Sequence, residues 1–200
     1  MEYSGISYEM IEYEGMEGLT KFKTVDAPSL GTPFPNLPYL KDGDFSTAQS
    51  NAIILYLAKK AGKYAELFGA TDKEEVEIAE LAGHLKDVYS TITQLCYNQD
   101  FDNVKATVLK ENFGPKFEML YKYYQAKGTK FIYADHLVYV DFWLASVLRL
   151  LFKMEEGKKE EYPGFVKFLE NYNGIPQIKE YYGSKFVERP INNPLRAKFF

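Results

Sequence analysis

From Asp72 almost to the C-terminus the apolar residues of this chain recur at helical spacing, whereas the stretch before residue 63 is broken by glycine, proline and an Asp-Gly pair. That change of period constrains the fold more than any single motif. Strands first and helices afterwards give two domains of different class, an α+β arrangement. The boundary is expected near residues 63 to 71, a stretch that reads as a linker with residues 72 and 73, so the first domain covers 1–64 and an all-helical second domain covers 72–200.

Within the first domain, Ser-Tyr-Glu-Met-Ile-Glu-Tyr at 7–13 carries the aromatic and branched residues of a short strand. Gly15, Gly18, Pro28, Gly31 and Pro33 predict loop over 14–33, with at most one helical turn. Leu37-Pro38-Tyr39-Leu40 followed by Lys41-Asp42-Gly43-Asp44-Phe45 predicts a hairpin, since Asp-Gly supplies the backbone that a tight turn needs. Ser46 to Ser50 then lead into a helix with Ile53, Ile54, Leu57 and Ala58 on one face and Gly62 at its C-cap. In the second domain the expected helices include Phe113–Tyr124, Val140–Phe152, Tyr162–Tyr172 and Ile175–Tyr182.

A hydrophobic fraction of 46%, with 17 Tyr and 15 Phe, is ample for buried cores and excludes a disordered chain. The net charge of -4 gives no electrostatic footprint for nucleic acid or anionic lipid. No apolar run is long enough for membrane insertion, and the N-terminus lacks a basic region followed by an apolar stretch. A single cysteine, Cys96, excludes an internal disulfide framework and fits a reducing, cytoplasmic location. His84 and His136 stand without ligand spacing, so no metal is expected.

Four segments, in order, carry a resemblance: Phe34-Pro35-Asn36-Leu37-Pro38-Tyr39-Leu40; Gln49-Ser50-Asn51-Ala52-Ile53; Asp87 with Leu95-Cys96-Tyr97-Asn98; and Val140-Asp141-Phe142 with Phe186-Val187-Glu188-Arg189-Pro190. Together they resemble the glutathione transferase family, most closely its mu-like class, over nearly the whole chain. The resemblance implies an incomplete thioredoxin-like domain, an all-helical domain, a homodimer, and glutathione as the bound ligand or co-substrate beside small electrophiles.

It also implies roles for residues. Gln49 and Ser50 would grip the γ-glutamyl carboxylate, which suits the partial positive charge of a helix N-terminus. Leu37, the residue before Pro38, would offer its backbone to the cysteinyl part, with Asn36 beside it in the glutathione-binding set and Pro38 cis as in the family. Asp87 would reach the ligand's ammonium group across the dimer, and Tyr97 would face the electrophile. Phe34 would insert into the partner subunit. In the loop at 18–28, Phe22 and either Lys21 or Lys23 occupy the stretch where the family places a tryptophan and a lysine for the glycyl carboxylate.

Some positions depart from the family pattern. Glu2-Tyr3-Ser4-Gly5 corresponds to the end of the family's first helix, so the first strand and most of that helix find no counterpart, and neither does the tyrosine that lowers the thiol pKa. No catalytic residue is therefore assigned. The unmatched strand would lie between residues 7–13 and the strand near Pro38, leaving backbone that an upstream segment, a rearranged sheet or a larger assembly would complete. Val138 replaces a Ser or Thr cap ahead of Asp141, a loss of about 1 kcal/mol. Leu55, Ala79 and Ala82 replace an ionic cluster of the dimer interface, which predicts a drier contact. Two functions follow: a transferase conjugating glutathione thiolate to electrophiles, with an upstream segment supplying the tyrosine, or a catalytically silent relative serving as a structural or binding subunit.

Overall fold

A computed structural model of the chain describes residues 1–184 and 197–199. The motif at 186–190 lies outside the described residues. The chain divides into two compact units, Met1–Tyr64 and Ala65–Phe200.

The first unit holds one antiparallel hairpin, β1 (Tyr39–Asp42) and β2 (Phe45–Ala48), the only sheet among the described residues. Its register pairs Tyr39 with Ala48 and Asp42 with Phe45. Gly43 takes φ 59°, the left-handed backbone expected of the Asp-Gly turn. Residues 7–13 correct the expected strand: residues 6–14 form neither strand nor helix. Propensity needs a ladder to act on, and here Tyr13 instead turns its ring into the core, edge-on to Phe22 at 5.3 Å.

The expected loop over 14–33 is also corrected. Helix α1 (Gly15–Lys21), a π segment (Phe22–Asp26) and α2 (Ala27–Ser29) run on continuously. Core packing overrides the glycine and proline punctuation, because Phe22, Ala27 and Leu30 share one buried face against Tyr13, Leu37 and Tyr39. Gly18 lets the helix close on the preceding chain: a Cβ there would stand 2.7 Å from the Tyr13 carbonyl carbon. Pro28 stands inside this continuous run, two residues past the end of the π segment.

Helix α3 (Ser50–Lys60) ends as its sequence predicts. Lys63 N–H donates to the Ala58 carbonyl at 2.8 Å and Gly62 N–H to Lys59 at 3.1 Å, with Gly62 at φ 67°. These paired bonds satisfy carbonyls that the helix leaves open. The expected linker at 63–73 contains a further short helix, α4 (Tyr64–Phe68).

In the second unit, α5 (Asp72–Tyr97) starts from a reciprocal cap, Thr71 accepting from Glu74 N–H and Glu74 returning to Thr71 N–H. There follow α6 (Phe101–Thr107), a π segment (Val108–Phe113), α7 (Gly114–Lys127), α8 (Tyr139–Met154), α9 (Lys158–Glu161), α10 (Pro163–Asn173) and α11 (Pro176–Tyr182). The core is rich in aromatic rings: Phe117, Phe165 and Phe168 are essentially inaccessible, and Tyr121 and Tyr124 pack on Phe165. Such rings each remove a large apolar area from water. No described helix is long and apolar enough to cross a membrane.

Asp141 is the one buried charged residue among those described. Its Oδ2 accepts from Val138 N–H at 2.7 Å and its Oδ1 from Ile132 N–H at 2.9 Å. The cap is thus half present: Val138 has no side-chain acceptor to offer, and Asp141 N–H turns to the Val138 carbonyl at 3.0 Å. Burial pushes the Asp141 carboxyl up to about 7, against the opposing pull of those two backbone donors.

Candidate functional site

The hairpin register carries the site. Because Tyr39 pairs with Ala48, Pro38 and Gln49 follow as the next positions on each strand, which sets the Leu37-Pro38 bend beside the start of α3. The Leu37-Pro38 peptide is cis. Asn36, Leu37, Pro38, Gln49 and Ser50 therefore gather at one end of the hairpin, with every member but Leu37 exposed.

Gln49 is the only non-glycine residue with positive φ among those described, at φ 73° and ψ 121°. Held in this sparsely populated region, a side chain stores strain on the order of 1–3 kcal/mol, which the hairpin on one side and the helix on the other must sustain. No side chain caps α3, and its first turn contains no acidic residue. The N–H groups at its start thus have no side-chain cap and can receive a carboxylate.

At the bend, Asn36 Oδ1 accepts from Leu37 N–H at 2.9 Å. Lys23 is exposed on the π segment, next to Phe22. Phe22 itself is core: its ring stacks on Tyr39 at 5.9 Å. Tyr39 O–H lies 3.2 Å from that of Tyr13, which donates to Asp26 Oδ2 at 2.8 Å. Desolvation and these hydrogen bonds push the Tyr13 hydroxyl well above the usual phenol range, so it is no source of phenolate.

The remaining residues lie on α5 of the second unit. Asp87 is exposed and makes no ion pair among the described residues. Tyr97, the last residue of α5, is part-buried. Ten residues separate the two, about 15 Å along the axis, so one α5 does not bring them together. Beside Tyr97, the Cys96 carbonyl accepts from Lys198 N–H at 2.7 Å and Phe199 N–H at 3.3 Å, while the Phe199 ring stacks on Phe101 at 5.7 Å. That anchoring of residues 197–199 to the end of α5 had no signal in local composition.

Phe34 is 70% exposed and Leu55 36%. Between α5 and α7 runs a groove of about 440 Å³ floored by Leu81 and Leu120 and flanked by Glu80, His84, Met119 and Tyr123. His84 Nε2 is committed to the Lys116 carbonyl at 2.9 Å. No group of three or more metal-ligating side chains occurs among the described residues.

Comparison with known proteins bears on the family of the chain. The profile of the glutathione S-transferase C-terminal domain matches residues 86–185. Glutathione S-transferase Mu 4 of Rattus norvegicus is 31% identical over 96% of this chain and 86% of its own length. Glutathione S-transferase Mu 2 of Pongo abelii is 33% identical over the same shares. A crystal structure of a nematode-specific GST of C. elegans superposes with a TM-score of 0.73 at 28% identity, covering 96% of this chain and 89% of that one. The incomplete thioredoxin-like unit, the helical unit and this similarity together make the chain a member of the glutathione S-transferase family, of mu-like character.

Proposed function

We propose that this chain binds glutathione at the bend and helix start of its first unit and presents the thiol to small electrophiles. The observation that carries the reading is the strained Gln49 at an uncapped helix start, set by register beside the Leu37-Pro38 bend. Strain of this kind persists where the surrounding structure enforces it and function uses it. The γ-glutamyl carboxylate meets Gln49, Ser50 and the open N–H groups of α3. The cysteinyl portion meets Asn36 and Leu37, and Lys23 attends the glycyl carboxylate. Asp87 of a second copy meets the ammonium group, and Tyr97 donates to the electrophile.

The working unit is a cytoplasmic homodimer. Exposed Phe34 of one copy seats in the α5–α7 groove of the other, where Leu81, Met119 and Leu120 give it an apolar floor. Leu55 belongs to the same contact and makes it drier. No tyrosine of residues 1–200 matches the family's thiol-activating position, so turnover is the property that separates an active transferase from a silent binding subunit.

Retention on glutathione resin, paired with conjugation of a chloronitrobenzene, tests the reading. Retention with turnover supports the transferase. Retention without turnover supports the silent subunit and leaves the binding site standing. Failure of both rejects the site.

A further inference from the structure

We propose that His84 makes the pairing of two copies of this chain pH-dependent: its imidazole takes up a proton when Phe34 of the other copy covers the α5–α7 groove, so the dimer tightens on acidification. The inference rests on the seating of Phe34 proposed above and names the regulation of that contact. Glu77, Glu80, Leu81 and His84 recur at helical spacing on α5 and form one stripe along the groove, which Met119, Leu120, Tyr123 and Lys127 line from α7.

The ring of His84 is held in one tautomer. Its Nε2 lies 2.9 Å from the Lys116 carbonyl, which can only accept, so Nε2 carries the proton. Nδ1 is then the atom that gains or loses a proton, and histidine is the side chain whose charge ordinarily changes between about pH 5 and 8. The other charges at the groove are mostly committed. Tyr133 donates to Glu77 Oε2 at 2.7 Å and holds that carboxyl below the usual range, and Lys73 lies 3.7 Å from Glu77 Oε1. On α7, Lys127 stands over the Tyr133 ring at 4.3 Å, and the Lys116 ammonium donates to Thr91 Oγ1 at 3.3 Å. Burial raises the Tyr123 hydroxyl above the usual phenol range, so that group stays neutral.

Glu80 supplies the sign. It makes no ion pair among the described residues and precedes His84 by four, the favourable order for an acid and a base on one helix. Asp87, three residues after His84, adds a second carboxylate on the same helix. The segment that enters brings no counter-charge, since residues 31–38, Gly-Thr-Pro-Phe-Pro-Asn-Leu-Pro, contain no charged side chain. Seating Phe34 strips water from Glu80, and a protonated His84 is the cation at hand to offset that loss. With His84 neutral, the same seating leaves the carboxylate covered and unpaired. Association and proton uptake are therefore linked.

Sedimentation equilibrium of the full chain, without glutathione and at fixed ionic strength, tests this between about pH 5.5 and 8. A symmetric dimer has two such grooves, and its dissociation constant is expected to fall about tenfold on acidification. His84→Gln keeps a donor for the Lys116 carbonyl but no longer titrates, so its dissociation constant should stay near the parent's alkaline value throughout. Glu80→Gln, at an exposed position where the fold tolerates change, should lose the gain at low pH as well. The buried Asp141 titrates in the same range but is common to parent and variants, so the difference between them reports the groove alone. A dimer that loosens or stays unchanged on acidification overturns the proposal and leaves the assembly standing, as does acid tightening that persists in His84→Gln. A parent that is monomeric at every pH rejects the assembly itself, and the proposal with it.

Discussion

Asn36 holds the Leu37 N–H through its own side-chain oxygen, at 2.9 Å, at the bend where the tripeptide's cysteinyl portion is proposed to bind. That bond fixes the amide plane. Since Oδ1 faces the Leu37 N–H, the Nδ2 group is left as a donor for a ligand carbonyl.

Replacing Asn36 by Ala or by Asp separates the two parts of this arrangement. Asp keeps an oxygen for the Leu37 N–H but turns the outward donor into an acceptor. Both variants are expected to weaken glutathione about tenfold, with thermal stability altered by no more than about 1 kcal/mol at so exposed a position. Titration calorimetry and thermal melts check this. Full affinity in Asn36→Asp would show that only the turn matters.

Gln49 predicts a trade of stability against binding. Glycine adopts φ 73° without strain, so Gln49→Gly is expected to stabilise the first unit by roughly 1 kcal/mol while lowering glutathione affinity at least tenfold. Gln49→Ala keeps the strain and loses the contact, so affinity falls with no gain in melting temperature. Loss of stability in Gln49→Gly would show that the side chain, not the backbone, holds the helix start.

Asp141 predicts an unusual response to pH. Its carboxyl is raised from the ordinary 3.8 to about 7 in the folded protein, so the folded state binds the proton more tightly than the unfolded chain does. By linkage, its contribution to stability is greatest below about pH 4, declines as pH rises towards 7, and is level above that. Asp141→Asn should flatten this window, because it no longer titrates. It should also cost on the order of 1–3 kcal/mol, since its NH2 group faces a backbone N–H that Asp141 now accepts. Urea midpoints of parent and variant between pH 4 and 8 provide the comparison.

Phe34 predicts the oligomeric state. Phe34→Ser removes the aromatic anchor, which is 70% exposed in a single chain, and is expected to shift sedimentation from dimer towards monomer. Leu55→Arg puts a charge into the proposed contact, where Ala79 and Ala82 have no acidic group for it, and should weaken the dimer as well. A parent protein that sediments as a monomer would overturn the proposed assembly.

The parts of the fold legible in the sequence are those with local chemistry. Asp42-Gly43 announced the hairpin, Gly62 closed α3, and the helical repeat from Asp72 outlined α5. Helix α1 and its π segment stayed hidden because Gly15, Gly18 and Pro28 argue locally for loop, while burial of Phe22 and close approach at Tyr13 decide the matter through tertiary packing. The strand expected at 7–13 failed for the complementary reason: propensity was present, but Tyr13 was used in the core. At the site, order of motifs led to Gln49, Ser50 and Asn36. The positive φ of Gln49 depends on backbone, which composition does not record.

The central claim is that the Leu37-Pro38 bend and the start of α3 bind glutathione through its γ-glutamyl arm. Isothermal titration of the parent protein with glutathione and with cysteinylglycine, which lacks that arm, tests it most directly. The account predicts saturable binding of glutathione at one per chain and none of the dipeptide. No saturable binding, or equal binding of the two, would contradict it.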